Sequence, residues 1–393
     1  MTETQKKTLA VVGCGFAGYT LMKKITSRVP ELEVLLVDPR ESAVFLPLLP
    51  DVVAGKIEPS RLLFSLSRFC RRHGITFINR AAVRLEGDRT LVLDNGDEVK
   101  FDYLALACGM EPNFYGDDRA GKKAFTLAGE DDARKLRARL LEVADRGEDH
   151  TFLVVGGGYT GVETASALVY AGKRLSGEKA RFRVRIAELS PRILGNLPEG
   201  IAGPARREVS RLGIGVSSSA RLEVSEEGAV TLDGEQIPDI TLVWSAGMRT
   251  VGFIRGLPFP GDRQGRIRVG PDLSLPGAPH IFAIGDCGAA EGKAGPLRMA
   301  VQFSWAEGIA AARNIRRRMA GRPGLPYRPH DLGYLIPLAS GKAWGEIMGI
   351  RVGGRFGSFL HYFMCVYRTR GWKNKTGIIK NLALTSFGQL LNI

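Results

Sequence analysis

The stretch Thr8–Gly18, TLAVVGCGFAG, decides the fold of this chain, and its pattern recurs at Phe152–Gly161, FLVVGGGYTG. In each copy a short apolar run predicts a buried strand that leads into glycines spaced Gly-x-Gly-x-x-Gly and then into a helix. Glycines at this spacing permit a tight turn, backbone approach to a pyrophosphate, and close packing of helix on strand. The pyrophosphate binds at the N–H groups of the helix N-terminus. One such motif is weak evidence, but two in one chain predict two dinucleotide sites.

An acidic residue ends the second strand of each predicted unit. Asp38 follows the apolar run Glu33–Val37, and Glu188 ends the run that begins at Phe182. A carboxylate at this point accepts hydrogen bonds from the adenosine ribose hydroxyls of a dinucleotide. Glu188 would repel a 2′-phosphate, which predicts a preference for NADH over NADPH, although Arg192 nearby weakens that preference.

The rest of the pattern predicts two similar units, the second inserted into the first. Helices are predicted near 16–28 and 160–173, and residues 75–108 predict short strands around an Asp-Asn-Gly turn. The apolar strands that end at Gly109 and Gly247 echo one another, since each closes on a small residue and a glycine. The fold class is therefore α/β, with two Rossmann-like dinucleotide-binding domains.

The predicted domain boundaries follow from these elements. A first domain takes residues 1–112 and 248–325, an inserted domain takes 113–247, and a C-terminal segment takes 326–393. The run His280–Asp286 predicts a buried strand that carries a carboxylate at its end, followed by a helix near 299–319. Residues 320–330, rich in proline, glycine and arginine, predict a linker.

Composition bounds the class of protein. A chain of 393 residues with 44% hydrophobic and 24% charged residues is an ordinary globular protein of two or three domains. The polar start Met1–Lys7 runs straight into a strand, which predicts no secretory signal. The five cysteines lie far apart without a C-x-x-C pair, which favours a reducing compartment without disulfides. The histidines show no spacing for a metal, so none is expected.

The net charge of +14 is concentrated near the C-terminus. No acidic residue follows Glu346, whereas residues 351–393 carry seven lysines and arginines interleaved with aromatic residues. No apolar stretch there approaches the ~20 residues that a spanning helix needs. A basic, aromatic, amphipathic segment of this kind predicts docking on an anionic membrane surface. A partner subunit is the alternative, and no motif supports nucleic acid.

Together these features resemble the glutathione-reductase-like flavoproteins with two dinucleotide domains, and within them the membrane-associated type II NADH dehydrogenases. The resemblance covers nearly the whole chain. It is carried by Val11–Gly18, Phe45–Gly55, Ala105–Gly109 with Asn113–Gly116, Gly156–Glu163, Gly285–Asp286, and in the tail by Gly353–Arg355, His361 and Tyr367–Gly371.

The resemblance implies an enzyme that passes hydride from NADH to FAD and two electrons on to a membrane quinone, without proton pumping. It implies a peripheral protein on the cytoplasmic face of the inner (plasma) membrane, and a homodimer is possible. Glu163, near the nicotinamide, and Gln302, at the quinone, are the implied catalytic residues. The implied cofactor-binding residues are Gly13, Gly15, Phe16, Ala17, Gly18, Asp38, Pro39, Val83, Ala107, Gly109, Gly156, Gly158, Thr160, Gly161, Glu188, Gly247, Gly285, Asp286 and Val301.

The helix after Asp286 departs from the pattern of these dehydrogenases, which is Ala-Gln-x-Ala-x-Gln-Gln. This chain keeps Gln302 but has Ser304, Ala306 and Glu307 where Ala, Gln and Gln are expected. The departure leaves another acceptor open, either of the sulfide:quinone type or soluble. A catalytically idle flavin-binding membrane protein is a further alternative. No close pair of cysteines is placed for a disulfide reductase, and small apolar packing is the expected role of Cys108 and Cys287.

Overall fold

The computed structural model describes residues 6–29, 31–176, 182–292 and 295–390, with side chains given up to Thr385. The elements up to residue 147 are β1 (Thr8–Val12), α1 (Phe16–Thr26), β2 (Glu33–Val37), β3 (Ser42–Val44), α2 (Leu49–Val53), β4 (Leu63–Ser65), α3 (Leu66–His73), β5 (Thr76–Ile78), β6 (Ala82–Glu86), β7 (Thr90–Leu93), β8 (Glu98–Lys100), β9 (Tyr103–Leu106), β10 (Met110–Pro112), α4 (Asp118–Lys123) and α5 (Glu130–Arg146).

The elements that follow complete the chain in the same order. They are β11 (His150–Val155), α6 (Tyr159–Ser176), β12 (Phe182–Glu188), α7 (Glu199–Arg211), β13 (Gly215–Ser218), β14 (Leu222–Val224), β15 (Val230–Leu232), β16 (Glu235–Gln236), β17 (Ile240–Trp244), β18 (Met248–Thr250), α8 (Gly252–Arg255), β19 (Ile267–Arg268), β20 (Ser274–Leu275), β21 (Ala278–Ala283), β22 (Gly288–Ala289), β23 (Glu291–Gly292), β24 (Gly295–Pro296), α9 (Val301–Met319), β25 (Gly333–Leu338), β26 (Lys342–Ile347), β27 (Ile350–Val352), α10 (Gly354–Arg368) and α11 (Trp372–Leu390).

Each of the two predicted nucleotide-binding units is built on a sheet of parallel strands, with one antiparallel edge strand, β20, in the first; this confirms the predicted α/β class. The first sheet has the order β20-β21-β9-β1-β2-β5, with β1 parallel to both β2 and β9. The second has the order β13-β12-β11-β17, with β11 parallel to both β12 and β17. After their first one or two residues, the central strands β1 and β11 are apolar and buried, as expected of strands covered on both faces.

The two strands that echo one another in sequence hold equivalent places beside the central strands. After β9, the N–H of Ala107 donates to the carbonyl of Val12 over 2.8 Å. After β17, the N–H of Ser245 donates to the carbonyl of Val155, also over 2.8 Å. The repeat is therefore structural as well as sequential.

Helix bounds differ from the expectations by one to three residues, for local reasons. The helix expected near 16–28 ends at Thr26, where Lys23 and Lys24 complement the negative end of the helix dipole. The helix expected near 299–319 begins at Val301, because Ala300 is extended with φ −156° and serves as the N-cap. The helix expected near 160–173 runs from Tyr159 to Ser176.

The chain forms two compact units, and their boundaries differ from the predicted domain boundaries in two places. One unit comprises the described residues of Met1–Ala43, Ser65–Glu111 and Met248–Asp331. The other comprises the described residues of Val44–Phe64, Pro112–Gly247 and Leu332–Ile393. The apolar loop from Phe45 to Gly55 and the C-terminal segment, which the sequence assigns elsewhere, thus pack with the inserted unit.

The C-terminal segment is folded into that second unit. Strands β25, β26 and β27 form an antiparallel sheet, and α10 packs on β26. Ile378 of α11 is fully buried, and the side-chain amide of Asn374 donates to the carbonyl of Leu63 over 2.8 Å. Among the described helices, none has both the length and the apolar character needed to cross a bilayer.

The predicted linker is anchored although it has no regular structure. Residues 320–332 form neither helix nor strand. Asn314 of α9 is fully buried, and its amide donates to the carbonyl of Leu325 while its oxygen accepts from the N–H of Leu325. This pair of hydrogen bonds holds the segment against the helix that precedes it.

Candidate functional site

The first glycine turn is held by backbone contacts at both of its ends. Gly13, with φ +96°, donates its N–H to the carbonyl of Val37 over 2.9 Å. A Cβ atom built on Gly18 would overlap the carbonyl oxygen of Gly13, so only glycine lets α1 pack this closely on the turn. Helix α1 begins at Phe16, directly after Gly15, and its first N–H groups therefore face the turn.

The second turn repeats this geometry almost atom for atom. Gly156, with φ +100°, donates its N–H to the carbonyl of Ala187 over 2.8 Å. A Cβ atom on Gly161 would overlap the carbonyl oxygen of Gly156. Helix α6 begins at Tyr159, directly after Gly158. The two fingerprints therefore form two equivalent turns, each with the geometry of a turn that can bind a pyrophosphate.

The middle glycine of each turn faces open space. A Cβ atom built on Gly15 or on Gly158 would meet no protein atom within 4 Å. The fold itself therefore does not require glycine at these two positions, in contrast to Gly18 and Gly161. A pyrophosphate that approaches the backbone there does require it, so both turns fit a dinucleotide.

Each predicted ribose acid also braces the turn beside it. The carboxylate of Asp38, fully buried, accepts from the N–H of Cys14 over 2.8 Å and forms an ion pair with Arg40. The carboxylate of Glu188 accepts from the N–H groups of Gly157 over 2.6 Å and Ser190 over 2.7 Å. Burial by itself would raise the pKa of Glu188, but these N–H donors outweigh burial and lower it. Glu188 is therefore charged at neutral pH.

Arg192, which could offset the charge of Glu188, is engaged elsewhere. Its guanidinium lies 3.4 Å from the carboxylate of Glu199, and both side chains are more than half exposed. An exposed pair of this kind contributes little, so Arg192 can exchange partners at small cost.

The strand β21 delivers the third predicted group, Gly285 and Asp286, to a buried corner of the first unit. The hydroxyl of Ser304 donates to Oδ1 of Asp286 over 3.2 Å. Burial raises the pKa of Asp286, while the Ser304 hydroxyl and the charge of Arg266 oppose that rise. The N–H of Gly285 donates to Oε2 of Glu307 over 2.6 Å. Two carboxyl groups therefore share this corner.

Glu163 lies in the second unit, one turn into α6, beside a cavity of about 10 Å³, which is room for about one water molecule. Burial raises the pKa of Glu163 well above its ordinary range, and the negative charge of Asp51 adds to the effect. Both effects favour the neutral carboxylic acid form of Glu163. The cavity is lined by Pro47, Pro50, Asp51, Glu163, Ala167, Pro337, Leu338, Ala339 and Tyr362.

A buried polar cluster beside Glu163 escaped the sequence reasoning. The hydroxyl of Tyr362 donates to Oδ1 of Asp51 over 2.7 Å. The ammonium of Lys56 donates to the carbonyl of Ala339 over 2.8 Å and lies 4.5 Å from the ring centre of Tyr170. Burial raises the pKa of Asp51 and lowers that of Lys56, and their mutual attraction opposes both changes. The signal available in the sequence was an acid inside the apolar loop Phe45–Gly55, Asp51, and a lysine directly after that loop, Lys56.

Gln302, on the first turn of α9, is 8% exposed and oriented by a neighbour. Its amide nitrogen donates to Oδ1 of Asp331 over 2.8 Å. The same carboxylate accepts from both terminal nitrogens of Arg298. The side chain is thus held in one orientation rather than left to rotate.

The remaining predicted cofactor residues fall into two groups. Phe16, Ala17, Ala107, Gly109 and Val301 lie in the first unit on or next to β1, α1, β9 and α9, whereas Thr160 and Gly247 lie in the second unit on α6 and after β17. Pro39 and Val83 are exposed, with Val83 at 46%. Binding roles for all of them stay predictions.

A cleft of about 560 Å³ elsewhere in the second unit carries none of the predicted residues. It is lined by His150, Arg183 and Asp239, at the N-terminal ends of strands, together with neighbouring residues. Ligands of open α/β sheets bind at the carboxyl ends of the strands, so this cleft is on the wrong edge for a dinucleotide.

Cys108 and Cys287, the two cysteines in the predicted flavin-contact motifs, are protonated thiols. Burial raises the pKa of Cys287 to about 11 and raises that of Cys108 well above its ordinary range. A thiol with a raised pKa is a poor nucleophile. Neither residue is therefore suited to sulfide chemistry, in agreement with the packing role expected from the sequence.

Comparison with known proteins gives the family. The model for the pyridine nucleotide-disulphide oxidoreductases matches residues 7–311. The demethylphylloquinone reductase NdbB of Synechocystis is 29% identical over 411 residues, which span 100% of this chain and 99% of that protein. The type II NADH:quinone oxidoreductase of Staphylococcus aureus is 26% identical over 380 residues, or 92% of this chain and 94% of that protein.

A solved structure shares the fold. NDH2 from Plasmodium falciparum, determined in complex with NADH, superposes with a TM-score of 0.86 at 16% sequence identity. The match covers 97% of this chain and 98% of that one. The arrangement of two Rossmann-like units with a C-terminal segment is therefore a known fold.

The open middle glycines generate a paired prediction. Gly15→Ala should fold as the parent does, because its methyl group meets no protein atom, yet bind FAD about five- to hundredfold more weakly, the cost of about 1–3 kcal/mol for an added methyl group in a tight contact. Gly158→Ala should keep its FAD and lose NADH affinity to a similar extent. Flavin content after purification and NADH titration measure the two effects, and melting temperature reports folding. Flavin loss in both variants alike would contradict the assignment of the two turns.

Proposed function

We propose that this chain, which belongs to the pyridine nucleotide-disulphide oxidoreductase family, is a non-proton-pumping NADH:quinone oxidoreductase that docks on a membrane surface. Its cofactors are FAD and NAD(H), as membership of that family implies. The observation that carries the proposal is the pair of equivalent phosphate-binding turns, one in each unit. The names of the relatives from Synechocystis and Staphylococcus aureus support quinone as the acceptor.

The proposed roles follow from the contacts described above. The first turn would hold the FAD pyrophosphate, with Asp38 at the adenosine ribose and Asp286 at the ribityl chain. The second turn would hold NADH, with Glu188 at its ribose. Bound FAD supplies the electron relay, accepting hydride and giving up two electrons to the acceptor. The protein would position the dinucleotides, and burial of the Glu163 carboxyl, which we place near the nicotinamide, favours its neutral form.

The thiols of Cys108 and Cys287 stay protonated, which argues against an enzyme of the sulfide:quinone type. Both glycine turns are intact and each accepts support from a hydrogen-bonded acid, which argues against a catalytically idle flavin-binding protein. An anaerobic titration decides between activity and idleness. Protein as purified should be yellow, bleach on addition of NADH, and regain its colour with a quinone. A flavin that NADH does not bleach would overturn the proposal.

The C-terminal segment offers a surface for the membrane. Phe356, Phe359, Phe363 and Tyr367 repeat at intervals of three and four residues along α10 and are each more than half exposed. This spacing places them on one face of the helix, here called the aromatic stripe. Trp372 of α11 is 79% exposed. The basic residues Arg355, Lys373 and Lys380 are exposed on the same two helices.

Coenzyme preference follows from the charged Glu188. A 2′-phosphate would meet this carboxylate and forfeit a ribose hydrogen bond, at about 1–3 kcal/mol in total. We therefore expect a catalytic efficiency ten- to hundredfold higher with NADH than with NADPH, by the same estimate. Glu188→Gln should lower the ratio of the catalytic efficiency with NADH to that with NADPH. Glu199→Gln releases Arg192 from its ion pair, and this second variant tests whether Arg192 offsets the charge of Glu188. Equal efficiencies in the parent protein would show that Arg192 governs the site.

The two proposed catalytic residues should affect different half-reactions. Gln302→Ala removes one hydrogen-bonding amide and should slow quinone reduction about three- to tenfold, while bleaching by NADH stays unchanged. Glu163→Gln should instead alter the NADH half-reaction or the complex with nicotinamide. Stopped-flow absorbance separates the two steps, and Gln236→Ala, at an exposed strand position, is the matched control. If Gln302→Ala leaves every quinone tested unaffected, the acceptor is of another kind.

Membrane docking is best tested by point substitutions, because removing residues 351–393 would also delete the buried Ile378 and the Tyr362 hydroxyl on Asp51. Phe359→Ser with Phe363→Ser should weaken binding to anionic vesicles about tenfold or more, from the lost burial of aromatic surface. Binding should also fall as salt rises. Flotation measures both effects, and Leu141→Ser, exposed on α5, is the control. Binding indifferent to the stripe and to lipid charge would exclude this surface.

A further inference from the structure

The buried corner of the first unit holds two carboxyl groups without an ion-pair partner among the described residues. Glu307, on α9, is 3% exposed, and its only described hydrogen bond is the 2.6 Å bond that its Oε2 accepts from the N–H of Gly285. Asp286, the residue after Gly285, accepts a hydrogen bond from the Ser304 hydroxyl. Two negative charges so close together in a buried place repel one another, so the pair favours holding a proton.

The charged and titratable groups that face Glu307 do not neutralise it. The charge of Arg266 acts on Glu307, but Arg266 is bound to Asp262 over 2.7 Å and to the carbonyl of Leu297. Tyr327, from the segment after α9, and Cys287, beside Asp286, are uncharged, since burial raises the pKa of both. On α1, Ala17 lies against Gly285 and both Ala17 and Thr20 lie against Gly308, the residue after Glu307; neither carries a charge.

The direction of the pKa follows from these surroundings. Burial raises the pKa of Glu307 to about 7, and the charge of Asp286 adds to the rise, while the N–H of Gly285 and the charge of Arg266 oppose it. The group therefore changes its charge within the physiological range. A glutamine, which the type II dehydrogenase pattern carries here, could accept the same hydrogen bond through its side-chain oxygen but could not titrate.

We propose that Glu307 is a proton-binding site that takes up a proton from solvent when the flavin beside Gly285 and Asp286 is reduced. The inference rests on the flavin site proposed above. Reduction adds negative charge to that site, which favours the neutral carboxylic acid over the carboxylate. The new O–H bond of the carboxylic acid replaces an O–H bond of the proton donor in solvent, a hydronium ion or a buffer acid, which leaves as its conjugate base. The proton returns to solvent when the two electrons leave for the acceptor.

The midpoint potential of the bound flavin tests the proposal by comparison with Glu307→Gln. At low pH Glu307 is neutral in both redox states, so the two proteins should have the same potential. At high pH the carboxylate is charged and disfavours reduction, so the parent protein should have the lower potential. Between its two pKa values the parent should bind one additional proton for each two electrons, which steepens its plot of potential against pH. The difference between the proteins is the measured quantity, because the flavin's own titration is common to both.

The comparison of midpoint potentials has two possible outcomes, and each decides for or against the proposal. A difference in potential that grows with pH from about neutral upward supports the proposal, and a difference that is constant over pH overturns it. Glu98→Gln, at an exposed position of β8, should match the parent protein throughout. The measurement uses redox dyes without quinone, so failure to reduce quinones would not affect it. Asp286→Asn could lose its flavin while the potential of Glu307→Gln differs from that of the parent protein by a constant amount over pH. That pair of results would support the flavin site and reject the proton-binding site.

Thermal stability gives a second measurement if Glu307→Gln binds flavin poorly. The pKa of Glu307 is raised by folding, so its stabilising contribution is complete below the unfolded value and is lost as pH rises through about 7. The melting temperature of the parent protein should therefore fall relative to that of Glu307→Gln between about pH 5 and pH 8. Parallel melting curves over this range would also overturn the proposal.

Discussion

Both units depend on one close contact, in which a helix approaches the turn before it until only a hydrogen atom fits between them. At Gly18 and Gly161 any side chain would collide with the carbonyl oxygen of the first glycine of the same turn. This approach brings the helix N-terminus over the carboxyl end of the central strand, where its N–H groups converge. The acid at the end of the next strand then accepts a hydrogen bond from the turn itself. Strand, turn, helix and acid therefore form one coupled assembly, and it occurs twice.

Buried carboxyl groups are the second theme of the molecule. Asp51, Glu163, Asp286 and Glu307 all lie where burial raises the pKa, yet only Asp51 has a hydroxyl and a lysine close by. Burying a carboxyl group is costly, and carboxyl groups with perturbed pKa values are concentrated at functional sites. Two lie in each unit. In each unit one of the two is a predicted site residue, Glu163 in one and Asp286 in the other.

The C-terminal segment joins structural and surface roles in one pair of helices. On its inner side the Tyr362 hydroxyl donates a hydrogen bond to Asp51 and Ile378 is buried. Its outer side presents the aromatic stripe. A surface attached in this way is held rigid, because moving it would expose the core of the second unit. The stripe is therefore presented in a fixed orientation, which suits a shallow contact with lipid better than a flexible tail would.

The sequence by itself determined the two α/β units, the strands that flank each central strand, and the glycines and acids of both turns. These features depend on local rules, since glycine spacing, apolar periodicity and the acid at a strand end act within a few tens of residues. Only the tertiary structure decided the rest. It brought Tyr362 to Asp51 and Gly285 to Glu307, and it packed the loop from Phe45 to Gly55 with the second unit. Such contacts join residues distant in the chain, and the burial that alters their pKa values exists only once the chain has folded around them.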